Sequence, residues 1–187
     1  MVITPEDAQA VYEKADLIYS HEQLVTALDR LAEEITPRIA KTNPLVISVL
    51  NGGLIPTGYL VTRFNFPLQL DYLHATRYRG KTTGGDLHWY ARPQSSLKDR
   101  VVLLIDDILD EGHTLKTIVG ECKDAGAKEV LSVAILEKMH GRDKATTADF
   151  IGLPVGNRYV FGFGMDYKGY LRNVPGIYAV SDGEQND

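Results

Sequence analysis

Between residues 106 and 114 the chain reads Asp106-Asp107-Ile108-Leu109-Asp110-Glu111-Gly112-His113-Thr114, directly after the apolar run Val101-Val102-Leu103-Leu104-Ile105. Carboxylates this close repel one another unless a cation or a hydrogen-bond donor offsets them. Gly112 and Thr114 lie where backbone N–H groups open toward a helix N-terminus, a ready cradle for an anion. One short loop thus offers an anion site beside a cluster of carboxylates. That combination suits a molecule carrying both a phosphate and a polyhydroxylated or metal-bound part. Acids also end strands and cap helices for architectural reasons alone. Five carboxyl and hydroxyl groups around Gly112, behind a buried apolar strand, exceed what capping requires.

The surrounding sequence must supply elements that hold this loop. Thr4-Pro5-Glu6-Asp7 predicts a helix start, with a hydroxyl cap, Pro in the first turn and acids at the positive end of the dipole. Ser20-His21-Glu22-Gln23 predicts a capping box, behind which Leu24, Ala27, Leu28, Leu31, Ile35 and Ile39 share one helical face. Residues 44–50 read as a strand buried on both faces, ending in Asn51-Gly52-Gly53 and followed by a helix. Residues 68–73 alternate like a second strand, 129–136 form another, and 158–162 a further one. Leu115, Ile118, Val119 and Cys122 make a helical stripe that Gly126 stops. Buried strands alternating with helices predict an α/β fold with a mostly parallel central sheet. Ligands in such folds sit beyond the carboxyl ends of the strands, where the acidic loop lies.

Composition narrows the class. The 187 residues carry 20 Lys+Arg against 25 Asp+Glu, a net charge of −5, with 44% hydrophobic residues. This is an ordinary globular composition, sized for one domain over 1–187. The acidity argues against non-specific nucleic-acid binding. A lone cysteine, Cys122, fits a reducing compartment and packing rather than chemistry. No apolar stretch is long enough for a membrane span, and the N-terminus has no signal-peptide pattern, so the expected setting is cytoplasmic.

The segment 101–114 resembles the phosphoribosyl-pyrophosphate signature of type I phosphoribosyltransferases, in their hypoxanthine-guanine branch. The resemblance implies an α/β type I fold, with a central sheet flanked by helices, a small hood and a mobile lid loop at about 77–97. It implies that Asp106 and Asp107 contact ribose hydroxyls, that Gly112, His113 and Thr114 hold the 5′-phosphate, and that Asp110 lies near N7 of a purine as general base. Glu111 departs from the pattern, which commonly has a small hydroxyl residue there. Electrostatics predict that its side chain points away from the phosphate.

The resemblance extends to other strand ends. Asn51 and Gly52 correspond to a loop whose backbone approaches pyrophosphate, often through a cis peptide, and glycine leaves that approach open. Lys138 corresponds to the residue that recognises the purine O6, and an ammonium can only donate hydrogen bonds. Tyr159 would stack on the base, Val160 would contact it through its backbone, Asp166 would lie near metal and base, and Arg172 would bind pyrophosphate. Metal contacts would come from Asp106, Asp107 and Asp166. The stretch 74–100 carries six Lys or Arg against two Asp and is rich in glycine. It is read as the lid, with Arg77-Tyr78 where the family usually has Ser-Tyr; a solvated hairpin is the plainer reading. The implied activity transfers 5-phosphoribosyl from phosphoribosyl pyrophosphate to N9 of hypoxanthine or guanine, with Mg2+ as cofactor. A homodimer or homotetramer is implied, with small-molecule substrates and no nucleic-acid or membrane partner. A xanthine-guanine preference and a non-catalytic sensor remain as alternatives.

Overall fold

The computed structural model describes residues 3–77 and 87–181. Helix α1 (Pro5–Lys14) and strand β1 (Asp16–Tyr19) lead into helix α2 (His21–Ile39) and strand β2 (Leu45–Leu50). Helix α3 (Leu54–Val61), strands β3 (Gln69–Arg77), β4 (Leu87–Ala91) and β5 (Val101–Leu109), and helix α4 (His113–Asp124) follow. Strands β6 (Glu129–Met139), β7 (Phe150–Gly156), β8 (Val160–Phe161) and β9 (Ile177–Ala179) complete the chain. Both expected helix starts are present as reciprocal capping boxes, Thr4 with Asp7 and Ser20 with Gln23.

Six strands form one sheet in the order β4-β3-β2-β5-β6-β7. Pairing is parallel except at the edge, where β4 runs antiparallel to β3. Alternation along the central strands separates two cores. Val46, Leu103, Ile105, Val133 and Ile135 pack with Leu24, Leu28, Leu31 and Ile35 of α2. Leu45, Ile47, Val102 and Leu104 pack with Leu115, Ile118 and Cys122 of α4. Each fully buried aliphatic side chain here contributes about 1.5–3 kcal/mol, and this double layer holds the carboxyl end of β5 rigidly. Strands β1, β9 and β8 form a separate antiparallel sheet, the hood. Its Phe161, Tyr167 and Tyr178 pack on Tyr12 and Val11 of α1.

The region after Arg77 contains a regular strand, β4, antiparallel to the end of β3, the pairing that the hairpin reading expects. Strand β5 continues four residues beyond Ile105, so Asp106 and Asp107 lie within it rather than after it. Arg77 is the last residue of β3, and Tyr78 with the rest of 78–86 lies outside the described residues. No helix among the described residues is long and apolar enough to cross a membrane.

Candidate active site

Successive residues of an extended strand face opposite ways, and the end of β5 uses this. Asp106 lines a cavity of about 210 Å3 together with Asp110, Glu111, Gly112, His113 and Thr114. Asp107 lines a second, of about 290 Å3, together with Lys138, Tyr159, Val160, Met165 and Asp166. Ile108 and Asp110 belong to both. Burial, reinforced by the charge of Asp107, pushes the Asp106 carboxyl well above the usual carboxylate range. Burial also raises Asp107, opposed by its bonds to Asp106 and the Ile108 N–H and by the Arg172 guanidinium. Two shielded acids on one strand end are a site prepared for donors or a cation.

In the smaller cavity, helix α4 begins at Gly112 (φ +77°), and no side chain caps it. Its first N–H groups therefore lack both intrahelical partners and a capping oxygen. A Cβ on Gly112 would also come within 2.6 Å of the Thr146 carbonyl, so glycine is required twice over. Thr114 is half-buried and His113 is exposed. Glu111 lines the same cavity, but its carboxylate is engaged by Arg142, with Nη1–Oε1 at 3.0 Å.

The loop after β2 closes on the same acids. The Leu50–Asn51 peptide is cis. Gly52 follows, buried so tightly that a Cβ would overlap the Asp107 carboxylate. The Gly52 carbonyl in turn lies against Gly164, in the segment that carries Asp166. Arg172 Nη1 donates to the Gly164 carbonyl at 2.6 Å while Nη2 pairs with Asp166 Oδ1 at 2.6 Å. Asp166 Oδ2 also accepts the Gly169 N–H at 2.7 Å. Asn51, Gly52, Asp107, Asp166 and Arg172 are thus linked through consecutive close contacts.

At the opposite wall, Lys138 Nζ pairs with Asp110 Oδ2 at 3.1 Å. Tyr159, 44% exposed as a residue, is braced edge-on by Tyr167 beside the buried Val160. Ammonium, carboxylate and aromatic ring therefore share one cavity of a size for a flat heterocycle. Sequence reasoning does not single out Met165, which also lines it, nor His140 and Arg142 in the turn after β6. His140 Nε2 lies 3.3 Å from both the backbone carbonyl and Oδ1 of Asp110. A lone His just past a strand end carries no motif; only the return of that turn onto the acidic loop reveals it. Among the described residues no group of three or more His, Cys, Asp or Glu is gathered to hold a metal. Asp107 and Asp166 do line one cavity, with Asp106 in the other.

The phosphoribosyl transferase domain model matches residues 14–168. The chain belongs to this family. Among its phosphoribosyl transferase relatives, the hypoxanthine-guanine phosphoribosyltransferase of Streptococcus pneumoniae is 30% identical over 167 residues, covering 89% of this chain and 93% of that one. The bifunctional protein TilS/HprT of Listeria innocua is 34% identical over 162 residues. The match takes in 86% of this chain but spans only a quarter of that longer protein, 25% of its length. A hypoxanthine phosphoribosyltransferase structure from Staphylococcus aureus, 24% identical, superposes with a TM-score of 0.86 over 92% of this chain and 94% of that one. The type I phosphoribosyltransferase fold, with its mostly parallel sheet, flanking helices and hood, is the one this chain adopts.

Proposed function

We propose that this phosphoribosyltransferase is a purine salvage enzyme. It joins hypoxanthine or guanine through N9 to the ribose of phosphoribosyl pyrophosphate, giving IMP or GMP and pyrophosphate. The observation that carries the reading is the juxtaposition of Lys138, Asp110 and Tyr159 in one cavity. Lys138 donates and cannot accept, so it favours a 6-oxo over a 6-amino purine. Asp110 accepts the N7 proton, and Tyr159 covers the ring. The names of the curated relatives point the same way.

The bond between the anomeric carbon and pyrophosphate breaks as N9 attacks, with positive charge building on the ribose and negative charge on the leaving group. Asp106 and Asp107 hold the ribose hydroxyls and fix the anomeric carbon in line. The uncapped start of α4, with Thr114, holds the 5′-phosphate. The Asn51–Gly52 backbone and Arg172 receive the pyrophosphate, whose charge they offset. Asp110 takes the N7 proton as the new bond forms, and no covalent enzyme intermediate is needed.

Mg2+ fits the donors available. Asp107 and Asp166 would hold it through oxygen alone, a sparse set that suits an ion keeping water and substrate oxygens. Bound with the diphosphate, the ion supplies charge neutralisation of the leaving group. The lid assignment of Arg77 and Tyr78 rests on the family resemblance alone. The reading takes 1–187 as one catalytic domain acting in the cytoplasm on small molecules. A homodimer or homotetramer is part of it, consistent with the exposed Leu54 and Tyr59 on α3.

The test is turnover with phosphoribosyl pyrophosphate and Mg2+, using hypoxanthine, guanine, xanthine and adenine in parallel. Product from hypoxanthine or guanine, with adenine inert, is expected. A folded protein that binds phosphoribosyl pyrophosphate yet transforms no base would refute the reading.

A further inference from the structure

Asp110 presents its two carboxylate oxygens to different surroundings. Oδ2 faces the cavity and Lys138. Oδ1 is turned inward and makes no hydrogen bond. Facing it are His140 Nε2 at 3.3 Å and Arg142 Nη2 at 4.0 Å. The imidazole is almost fully enclosed, with 1% of its side chain exposed. Its other nitrogen, Nδ1, accepts the backbone N–H of Arg142 at 3.1 Å. A ring nitrogen that accepts an N–H carries no proton, so the ring is neutral and its proton is on Nε2. The Nε2–H donates to the Asp110 carbonyl and lies equally near Oδ1.

We propose that His140 is a positioning residue for Asp110. Its Nε2–H holds the Asp110 backbone carbonyl and lies against Oδ1, leaving Oδ2 as the oxygen that receives the proton from the base. The consequence is greatest when substrate is present. Lys138 must turn from Asp110 toward the carbonyl oxygen of the purine, and Asp110 then loses its partner on the cavity side. His140, fixed from behind by the Arg142 N–H, keeps the carboxylate aimed. Gly141 adopts φ +71° between them, which lets the turn bring His140 under Asp110 while Arg142 reaches Glu111. The proposal rests on the general-base reading of Asp110.

Two substitutions separate positioning from turn stability. In H140N the amide oxygen stands near Nδ1 and still accepts the Arg142 N–H, but no donor reaches Asp110. In H140Q the amide nitrogen stands near Nε2 and restores the donor, while the Nδ1 acceptor is lost. We expect kcat of H140N with hypoxanthine to fall about tenfold to a hundredfold, with KM for phosphoribosyl pyrophosphate within about twofold. H140Q should recover most of that turnover even if its thermal midpoint is the lower of the two. Wild-type kcat in H140N overturns the proposal; so do equal losses in both variants, or loss of cooperative unfolding in both, which make His140 a structural residue. Wild-type protein and D110N are assayed alongside. An inactive wild type refutes the salvage reading and this inference with it, and a fully active D110N removes the base assignment on which it rests. An active wild type with an impaired D110N and an intact H140N refutes the His140 proposal alone.

Discussion

The guanidinium of Arg142 sits 3.0 Å from the carboxylate of Glu111, joining the turn after β6 to the loop between β5 and α4. Glu111 lines the cavity at the uncapped start of α4, the proposed phosphate site, where its charge would oppose an anion. Arg142 offsets that charge and draws the side chain to itself. Both side chains are more than a third exposed, at 58% and 40%, so the pair is worth little to stability. Its effect falls on ligand binding. R142A should raise KM for phosphoribosyl pyrophosphate about two- to fivefold, and E111T should keep activity. In the double variant E111T/R142A the KM should return toward the wild-type value. Abolished activity in E111T would show that Glu111 contacts substrate after all.

Asp110 and Lys138 should separate in steady-state kinetics. D110N removes the proton acceptor and should lower kcat by roughly 10²- to 10⁴-fold, while phosphoribosyl pyrophosphate binding by calorimetry stays near that of the wild type. K138A removes a charged donor to the base, and should raise KM for hypoxanthine about tenfold to a hundredfold. Its KM for phosphoribosyl pyrophosphate should hardly move. A K138A variant that weakened both substrates equally would contradict the O6 role.

Gly52→Ala tests the contact between the β2 loop and Asp107. The new methyl would collide with the Asp107 carboxylate. Either the carboxylate or the loop must shift, at a cost of about 1–3 kcal/mol, which thermal unfolding would register. Displacement of Asp107, the proposed ribose-binding acid, should also lower kcat/KM on the order of 10²-fold. A variant with wild-type kinetics would place Asp107 outside the reacting centre.

Cys122 gives a pH-dependent expectation. Burial against the α4–sheet core, with a smaller contribution from Glu121, pushes its thiol up to about 11. The folded value lies above the unfolded one of about 8.5. The contribution to stability is therefore complete below the unfolded value and is lost as pH rises through about 11. Native protein at pH 8 should resist iodoacetamide for hours, and react at one site per chain once unfolded in guanidinium. Rapid labelling of the native state would mean that α4 opens locally.

The elements legible in sequence are those with a strong period or a dense motif. Strands β2 and β5 read as continuous apolar runs because both faces are covered, and the α2 stripe from Leu24 to Ile39 follows the helical repeat. The acidic loop stands out because charge of one sign is rarely packed so tightly without purpose. Strands β1, β4, β7 and β9 are not legible: they are short or at sheet edges, and tertiary pairing rather than local preference makes them strands, across the whole chain in the case of β1 with β9. The same cause hides His140 and Arg142. Their roles come from a turn that folds back about thirty residues, a relation that no local spacing encodes.

Because β5 stays extended through Leu109, its alternation assigns Asp106 to one cavity and Asp107 to the other. A shift of one residue along that strand would exchange the two acids and turn Asp110 away from Lys138. The stretch 101–112 is therefore a fixed-length ruler. Individual side chains in it can be exchanged at graded cost, whereas a single inserted or deleted residue would misdirect every functional group downstream of Ile105 at once.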